Sequence, residues 1–264
     1  MKAQIRPLCA LPALVVLTSA SAPTAPLPGP LNGAAAQDDS AVYIDPRADR
    51  ILFAMGEYLG GAPAFEMHAE TVKDEPHPSG QWVQVSRASD ISLHRERGLR
   101  ASVTGDLDNR EFWTDLETAA MLDPDSATYA LVQVPATLDG AIDHLLEEYG
   151  VAWPLADLAY SDPYLGLIEG VQVGTYVGLH KTEGIPCHHL AFQQATIDWQ
   201  IWIDAGQRPV PRKVIVTYKR IDGAPRIVAR LSKWNFSPYL PESFFDFVAP
   251  EGAQQIELET LEGN

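Results

Sequence analysis

Two runs of short segments with period-two apolar patterning, separated by one helical stretch, constrain the fold of this chain more than any other feature. In the first run Phe65, Met67 and Ala69 alternate with polar residues, and similar segments continue to Val134. In the second run, five such segments lie between residues 171 and 236. This alternation is typical of strands that bury one face, and the turn residues between the segments indicate antiparallel neighbours.

Helical spacing of apolar residues appears around and between these runs. Asp45 and Pro46 form a helix start, because a capping acid precedes a proline at the first helical position. Gly150 marks the end of the central helical stretch. The predicted helices cover residues 45–60, 137–149, 154–160 and 162–170. A last short strand is predicted over Phe244–Val248.

The order of these elements is one helix, about five strands, a helical insert and about five more strands. Strands and helices do not alternate as they do around parallel sheets. We therefore predict an α+β fold, with one curved antiparallel sheet and amphipathic helices over its concave face. The inner face of such a sheet and its helices would enclose an apolar cavity.

The N-terminus has the pattern of a secretory signal. Lys2 and Arg6 precede an apolar run over residues 8–20, and small residues end at Ala36. We predict a signal peptide over residues 1–36 that is cleaved on export, a disordered linker over 37–44 and one domain over 45–264. Cys187 would then be the one cysteine of the mature chain, so no internal disulfide is expected.

Net charge argues against nucleic acid as a partner. The chain carries 35 acidic and 19 basic residues, for a formal net charge of −16. Binding to phosphate backbones needs clustered Lys and Arg, so we expect no nucleic-acid partner. No G-x-S-x-G, G-x-G-x-x-G or P-loop pattern occurs in the sequence, and we expect no cofactor, no metal and no enzymatic activity.

The second half of the chain carries a resemblance to known proteins. The resembling stretches are Pro154–Tyr160 with Asp162–Tyr164, then Gly184–Phe192, Asp198–Asp204, Arg208–Lys213 and Leu231–Phe236. They resemble a family of predicted periplasmic proteins of unknown function, related to the lipoprotein carrier LolA and the sensor RseB. The resemblance implies a periplasmic, LolA-like half-open β-barrel with helices at its mouth.

Cys187, His188 and His189 are the first candidates for chemistry, as a nucleophile with its base or as metal ligands. Consecutive residues of a strand point to opposite faces, so His188 and His189 are not expected to hold one ion together. His144 and Glu148 share a helix face, but the second histidine of a metalloprotease pattern is missing. Structural roles are favoured for Cys187, His188 and His189, and a solvated helix face is favoured for His144 and Glu148.

Two carboxylates and a tyrosine in the helical insert form a second candidate. Asp157 and Asp162 flank Tyr160, and paired carboxylates perform acid–base chemistry when one is held protonated. Asp162 precedes Pro163, which is better explained by helix capping. We therefore predict no catalytic residues in this insert.

Apolar side chains of two adjacent strands and the central helix are the candidate ligand wall. Alternation places the members of each strand on one face. The predicted cavity-wall residues are Leu190, Phe192, Trp199, Ile201, Ile203 and Leu145. The same pattern also fits a packed core, and both interpretations stay open because the core face of a half-barrel is also its cavity wall.

These observations predict a periplasmic protein that holds a lipid, an acyl chain or a lipoprotein segment in an apolar half-barrel. The alternatives are a sensor or interaction module of the RseB kind, and a hydrolase with an unrecognised site. A membrane-associated protein is a candidate partner. The basic turn Arg208–Lys213 is either an exposed hairpin or a docking point for an acidic partner or a lipid headgroup, and the exposed hairpin is favoured.

Overall fold

The computed structural model describes residues 42–153 and 155–261. The predicted signal peptide and residues 37–41 of the predicted linker lie outside these ranges. The helices are α1 (Pro46–Gly60), α2 (Leu138–Tyr149) and α3 (Pro163–Ile168). The strands are β1 (Tyr43–Ile44), β2 (Ala64–Pro76), β3 (Trp82–His94), β4 (Gly98–Gly105), β5 (Asn109–Thr114), β6 (Thr118–Asp123), β7 (Thr128–Gln133), β8 (Val173–Thr182), β9 (Ile185–Gln193), β10 (Ile197–Asp204), β11 (Pro211–Tyr218), β12 (Arg226–Asn235) and β13 (Gln254–Gln255).

All 13 of these strands form one sheet in the order β1-β8-β9-β10-β11-β12-β2-β3-β4-β5-β6-β7-β13. Strands β2–β7 make one antiparallel meander and β8–β12 make another. The antiparallel β12–β2 pair joins them at the centre. The sheet stays open, with β1 and β13 added in parallel at its two edges. The prediction of a single open antiparallel sheet with few helices is confirmed.

The helix ends follow from local capping. The Asp45 carboxylate accepts a hydrogen bond from the Arg47 backbone N–H, and Pro46 occupies the first helical position. The Thr137 hydroxyl caps α2 by accepting from the Gly140 backbone N–H. Gly150 ends α2 in the left-handed conformation, which glycine adopts without strain. Both helices therefore begin and end near the predicted positions.

The main core lies between α1 and the inner face of the second meander. Leu52, Met55 and Leu59 of α1 are fully buried in one cluster with Trp199 and Ile201 of β10. This burial of large apolar side chains is the dominant favourable term for folding. The inner face here is filled by the helix.

Two local predictions differ from the structure. Residues 155–160 form only a 3₁₀ turn, Ala156–Leu158, instead of a helix of the predicted length. Phe244–Val248 is not a strand: a 3₁₀ turn covers Glu242–Phe244. Phe245 is buried and Phe247 packs against Trp113, with ring centroids 5.1 Å apart. The aromatic alternation that suggested a strand reflects packing of this segment onto the outer face of the sheet.

Within the described residues, none of the helices is both long enough and apolar enough to cross a membrane.

Candidate functional site

A cavity of about 240 Å³ lies between α2 and the inner face of β2–β5. Its size is close to the lower end of typical small-molecule sites, roughly 300–1,000 Å³. Most of its wall is apolar. The apolar side chains from the strands and α2 are Phe65, Met67, Ala69, Val85, Ile91, Leu99, Ala101, Val103, Phe112, Leu138, Ala141, Ile142, Leu145 and, from β12, Ile227. The turn after α2 adds Ala152, Trp153, Leu155, Ala156 and Ala159.

Strand pairing explains why these side chains converge. Phe65 lies opposite Leu93, and Met67 lies opposite Ile91, so the apolar positions of β2 and β3 share the inner face. Ala101 lies opposite both Ile91 and Phe112, which continues this face into β4 and β5. The apolar stripe of α2 covers it from the other side. The cavity is the space that α2 leaves unfilled.

The wall changes from apolar to charged along the strands. On β2 the inner positions run Phe65, Met67, Ala69, Thr71, Lys73 and Glu75 in order. Arg87 on β3 and Arg110 on β5 line the same end of the cavity as Lys73, with Asp108 from the β4–β5 turn. The cavity therefore has an apolar end beneath α2 and a charged end.

We call Lys73, Glu75, Arg87, Asp108 and Arg110 the charged end of the cavity. Lys73 Nζ lies 2.5 Å from Glu75 Oε1, and Arg87 Nη2 lies 2.9 Å from Asp108 Oδ1. Arg110 Nη1 lies 2.7 Å from Asp123 Oδ2 on β6. Burial alone would raise the pKa of the Asp123 carboxyl. Hydrogen bonds from Ser126 and the charge of Arg110 nevertheless hold this pKa below its usual value.

Exposure shows which end meets solvent. At the apolar end Phe65, Ala69 and Leu145 are buried. At the charged end the side chains of Arg87 and Arg110 are 40% and 47% exposed. The strand and α2 residues of the apolar end are therefore the most buried part of the wall, and the exposed part lies between the charged side chains.

The six predicted wall residues lie in two different places in the structure. Leu145 lines the cavity. The other five, Leu190, Phe192, Trp199, Ile201 and Ile203, are at most 1% exposed and belong to the core cluster that includes α1 residues. Phe192 and Trp199 stack there with centroids 4.2 Å apart. A ligand role for these five stays a prediction, and they do not line the cavity described here.

The cavity residues of β2–β5 were not singled out in the sequence, although their alternation was visible. Both meanders have apolar inner positions, and the sequence does not show which of them α1 fills. The transition from Ala69 to Lys73 along one face of β2 was the available signal. This transition marks a charged end of the cavity only because Arg87 and Arg110 lie at the same end, and the strand register that places them there is not visible in the sequence.

The Cys187–His189 segment has separate packing roles. Cys187 is fully buried in β9, and burial raises the pKa of its thiol. His189 stacks on Trp202 at 3.9 Å, and its Nε2 lies 2.9 Å from Gln200 Oε1. His188 lies on the opposite face, 3.2 Å from the Tyr176 hydroxyl. Among the residues that the structure describes, no three His, Cys, Asp or Glu side chains are arranged to hold a metal ion.

The other candidate side chains also have local contacts. Asp162 caps α3 by accepting from the Leu165 backbone N–H at 3.0 Å. The Tyr160 hydroxyl donates to Asp143 at 2.7 Å. On the middle helix, the His144 ring packs edge-on against Tyr149.

In the basic turn, Arg212 Nη2 lies 2.8 Å from Asp204 Oδ2. Lys213 Nζ lies 4.4 Å from the centre of the Trp202 ring. The side chains of these two cations are therefore already engaged on the outer face of the sheet.

Asp157 provides a pH-dependent prediction. Its side chain is buried in the 3₁₀ turn Ala156–Leu158, next to the cavity-lining residue Ala156. Burial raises the pKa of this carboxyl to about 6, although a hydrogen bond from its own backbone N–H acts to lower it. A raised folded-state pKa means that the folded protein binds this proton more tightly than the unfolded chain. The resulting stability is present at low pH and is lost as pH rises through about 6.

We therefore expect Asp157→Asn to raise the free energy of unfolding at about pH 8, by on the order of 2–3 kcal/mol. The gain should shrink as pH falls toward the unfolded pKa of 3.8. Urea unfolding across this pH range measures it. Asp162→Asn is the matched control, because asparagine also caps helices and little change is expected. A gain in the free energy of unfolding that did not depend on pH would contradict a raised pKa of Asp157 in the folded protein.

Comparison with known proteins gives a family and several structures of similar shape. The model of the family "Predicted periplasmic protein (DUF2092)" matches residues 48–259. No curated protein matches the sequence. The matched residues include the whole cavity wall.

Three of the similar solved structures illustrate the sequence identities, coverages and TM-scores that were found. An uncharacterised conserved protein from Thermus thermophilus is 11% identical with a TM-score of 0.46, covering 80% of this chain and 99% of its own. Lipoprotein LppX from Mycobacterium tuberculosis is 13% identical with a TM-score of 0.46, covering 75% and 100%. A LolA superfamily protein from Nitrosomonas europaea is 9% identical with a TM-score of 0.38, covering 76% and 97%.

Proposed function

The chain belongs to the DUF2092 family of predicted periplasmic proteins, and from this premise we propose that it is an exported protein that binds the apolar chain of a lipid or lipoprotein. The cavity beneath α2 is the proposed site. Export requires the signal peptide that we predict over residues 1–36, with cleavage giving the mature form. The proposed role is binding, with no chemical step.

The observation that supports this proposal is an apolar cavity beneath α2, on the inner face of the sheet. The side chains of α1 fill the core beneath the second meander, whereas α2 leaves about 240 Å³ unfilled. Empty apolar space costs stability, because the wall loses dispersion contacts. A bound chain would restore these contacts and would gain about 0.8 kcal/mol for each methylene it buries.

The shape of the cavity fits a chain-like ligand. Its apolar end is lined by buried side chains such as Phe65 and Leu145, and its charged end is exposed. An acyl chain that enters from the exposed end would meet an apolar wall along its length. The polar part of the same molecule would remain near solvent.

Native mass spectrometry with lipid extraction tests the proposal on protein purified from a periplasmic fraction. We expect a bound acyl species at close to one molecule per protein, released by denaturation. A protein that carries no such species, and takes none up when offered lipid, would contradict the proposal. Copurification of a protein partner in its place would favour the sensor alternative.

A further inference from the structure

We propose that the ligand of this cavity carries an anionic head group, a carboxylate or a phosphate, which binds at the charged end formed with Lys73, Arg87 and Arg110. This inference rests on the proposed function, because it adds a head group to the apolar chain already assigned to the cavity. It fixes the orientation of the ligand: chain beneath α2, head group at the opening.

Strand register brings the three cations to one end of the cavity from three different strands. Arg87 lies opposite Thr71 on β2, one inner position from Lys73. Arg110 lies opposite Val103 on β4, and Val103 lies opposite Ser89, the inner position next to Arg87 on β3. The cations therefore lie next to one another on the inner face, where the wall stops being apolar.

The local charge differs from that of the whole chain. The protein has a formal net charge of −16, yet the charged groups that line this cavity are three cations and two acids, Glu75 and Asp108. With Asp123, which pairs with Arg110, the three cations and three acids balance, so this end lacks the acidic excess of the whole chain and an anion meets exposed cations there without net repulsion. The low dielectric of the adjoining apolar wall strengthens the attraction between an anion and these cations relative to bulk water.

The two arginines retain donors for a ligand. Each guanidinium has five N–H donors in a planar fork that matches carboxylate and phosphate oxygens. Arg87 contacts Asp108 through Nη2, and Arg110 contacts Asp123 and the Asn109 carbonyl through Nη1, with its Nη2 3.9 Å from Asp108 Oδ2. Both side chains are close to half exposed at the opening. An anionic head group can therefore share these guanidinium groups with Asp108 and Asp123.

A set of ligands with one chain and different head groups tests the inference. Decanoate, decyl phosphate and decanol share the same apolar chain, so differences in their affinity report the head group. The variants are the double substitution Arg87→Gln/Arg110→Gln and the control Arg230→Gln. Arg230 lies on the outer face of β12, and its side chain is 46% exposed, compared with 47% for Arg110.

We expect the wild type to bind decanoate or decyl phosphate about tenfold more tightly than decanol, the order expected from one charge-assisted hydrogen bond. Added salt should reduce this preference. The double variant should lose the preference while its affinity for decanol, which also reports that it is folded, stays unchanged. Arg230→Gln should behave as the wild type. A larger affinity for one of the two anions identifies the head group as carboxylate or phosphate.

Two outcomes would overturn the inference, and they can be told apart. If decanol binds the wild type as tightly as both anions, the head-group assignment fails and the apolar site stands. If none of the three ligands binds, the proposed function fails and the head-group assignment fails with it.

Discussion

Replacing Ala101 with phenylalanine is expected to weaken the binding of a decyl-chain ligand by about thirtyfold. Ala101 lines the cavity from β4, between Ile91 and Phe112 on the neighbouring strands. A phenyl ring at this position occupies the space of about three methylenes of the ligand, which contribute roughly 2 kcal/mol when buried. Isothermal titration with decanoate measures the loss.

The matched control is Ala88→Phe. Ala88 lies opposite Thr104 on the outer face of β3 and does not line the cavity. This variant should bind as the wild type does. In Ala101→Phe the melting temperature should be unchanged or higher, because the ring fills empty space. An Ala101→Phe protein that keeps its affinity would place the ligand elsewhere.

Replacing Arg95 with methionine is expected to lower the free energy of unfolding by at least about 3 kcal/mol, since three part-buried carbonyls lose their donor while Leu59 O keeps the Ala62 N–H. Arg95 lies in the turn between β3 and β4, and its guanidinium donates to four backbone carbonyls. These are Leu59, Ala62, Ala159 and Tyr160, at 2.7–3.1 Å. Two of the carbonyls lie at the end of α1 and two follow the 3₁₀ turn beside the cavity.

The size of this effect follows from what the substitution leaves behind. Burial lowers the pKa of Arg95, which shows how far the guanidinium is removed from water. Methionine keeps much of the packing but removes the guanidinium donor. Leu59 O still accepts from the Ala62 N–H at 3.2 Å, and each of the other three carbonyls costs roughly 1–3 kcal/mol when left unpaired. The positive charge at the end of α1 also interacts favourably with the helix dipole.

Urea unfolding measures the Arg95 prediction, with Arg50→Met as the control on the exposed side of α1. The control should change the free energy of unfolding by no more than about 0.5 kcal/mol. An Arg95→Met protein as stable as its control would show that the four hydrogen bonds do not connect α1 to the insert as described.

The sequence predicted helices and strands well where a nearby residue pattern, such as a cap or an uninterrupted alternation, determines their bounds. The Asp45–Pro46 cap placed α1, and Thr137 with Gly150 bounded α2. The bounds of β10 were predicted to the residue, because its apolar positions alternate without interruption. The prediction of a strand over Phe244–Val248 was wrong, since the aromatic side chains of this segment pack onto the sheet without pairing as a strand.

The candidate site depended on information that the sequence does not carry locally. Trp199 and Ala101 both occupy inner positions of apolar strands, and nothing in either strand shows which lies under α1. Three of the predicted wall residues were placed on β10 because this strand carries large apolar and aromatic side chains. Large side chains fill space, however, and the cavity lies instead where Ala69, Ala101 and Ala141 leave room.

Photocrosslinking with a diazirine-labelled acyl chain, followed by peptide mapping, tests most directly where an apolar chain binds. We expect adducts on peptides from residues 64–76, 98–114 and 138–149, which contribute the apolar end of the cavity. Excess decanoate should suppress these adducts. Adducts confined to residues 185–204, where five of the six sequence-predicted residues lie, would contradict binding beneath α2 and place the ligand beneath α1.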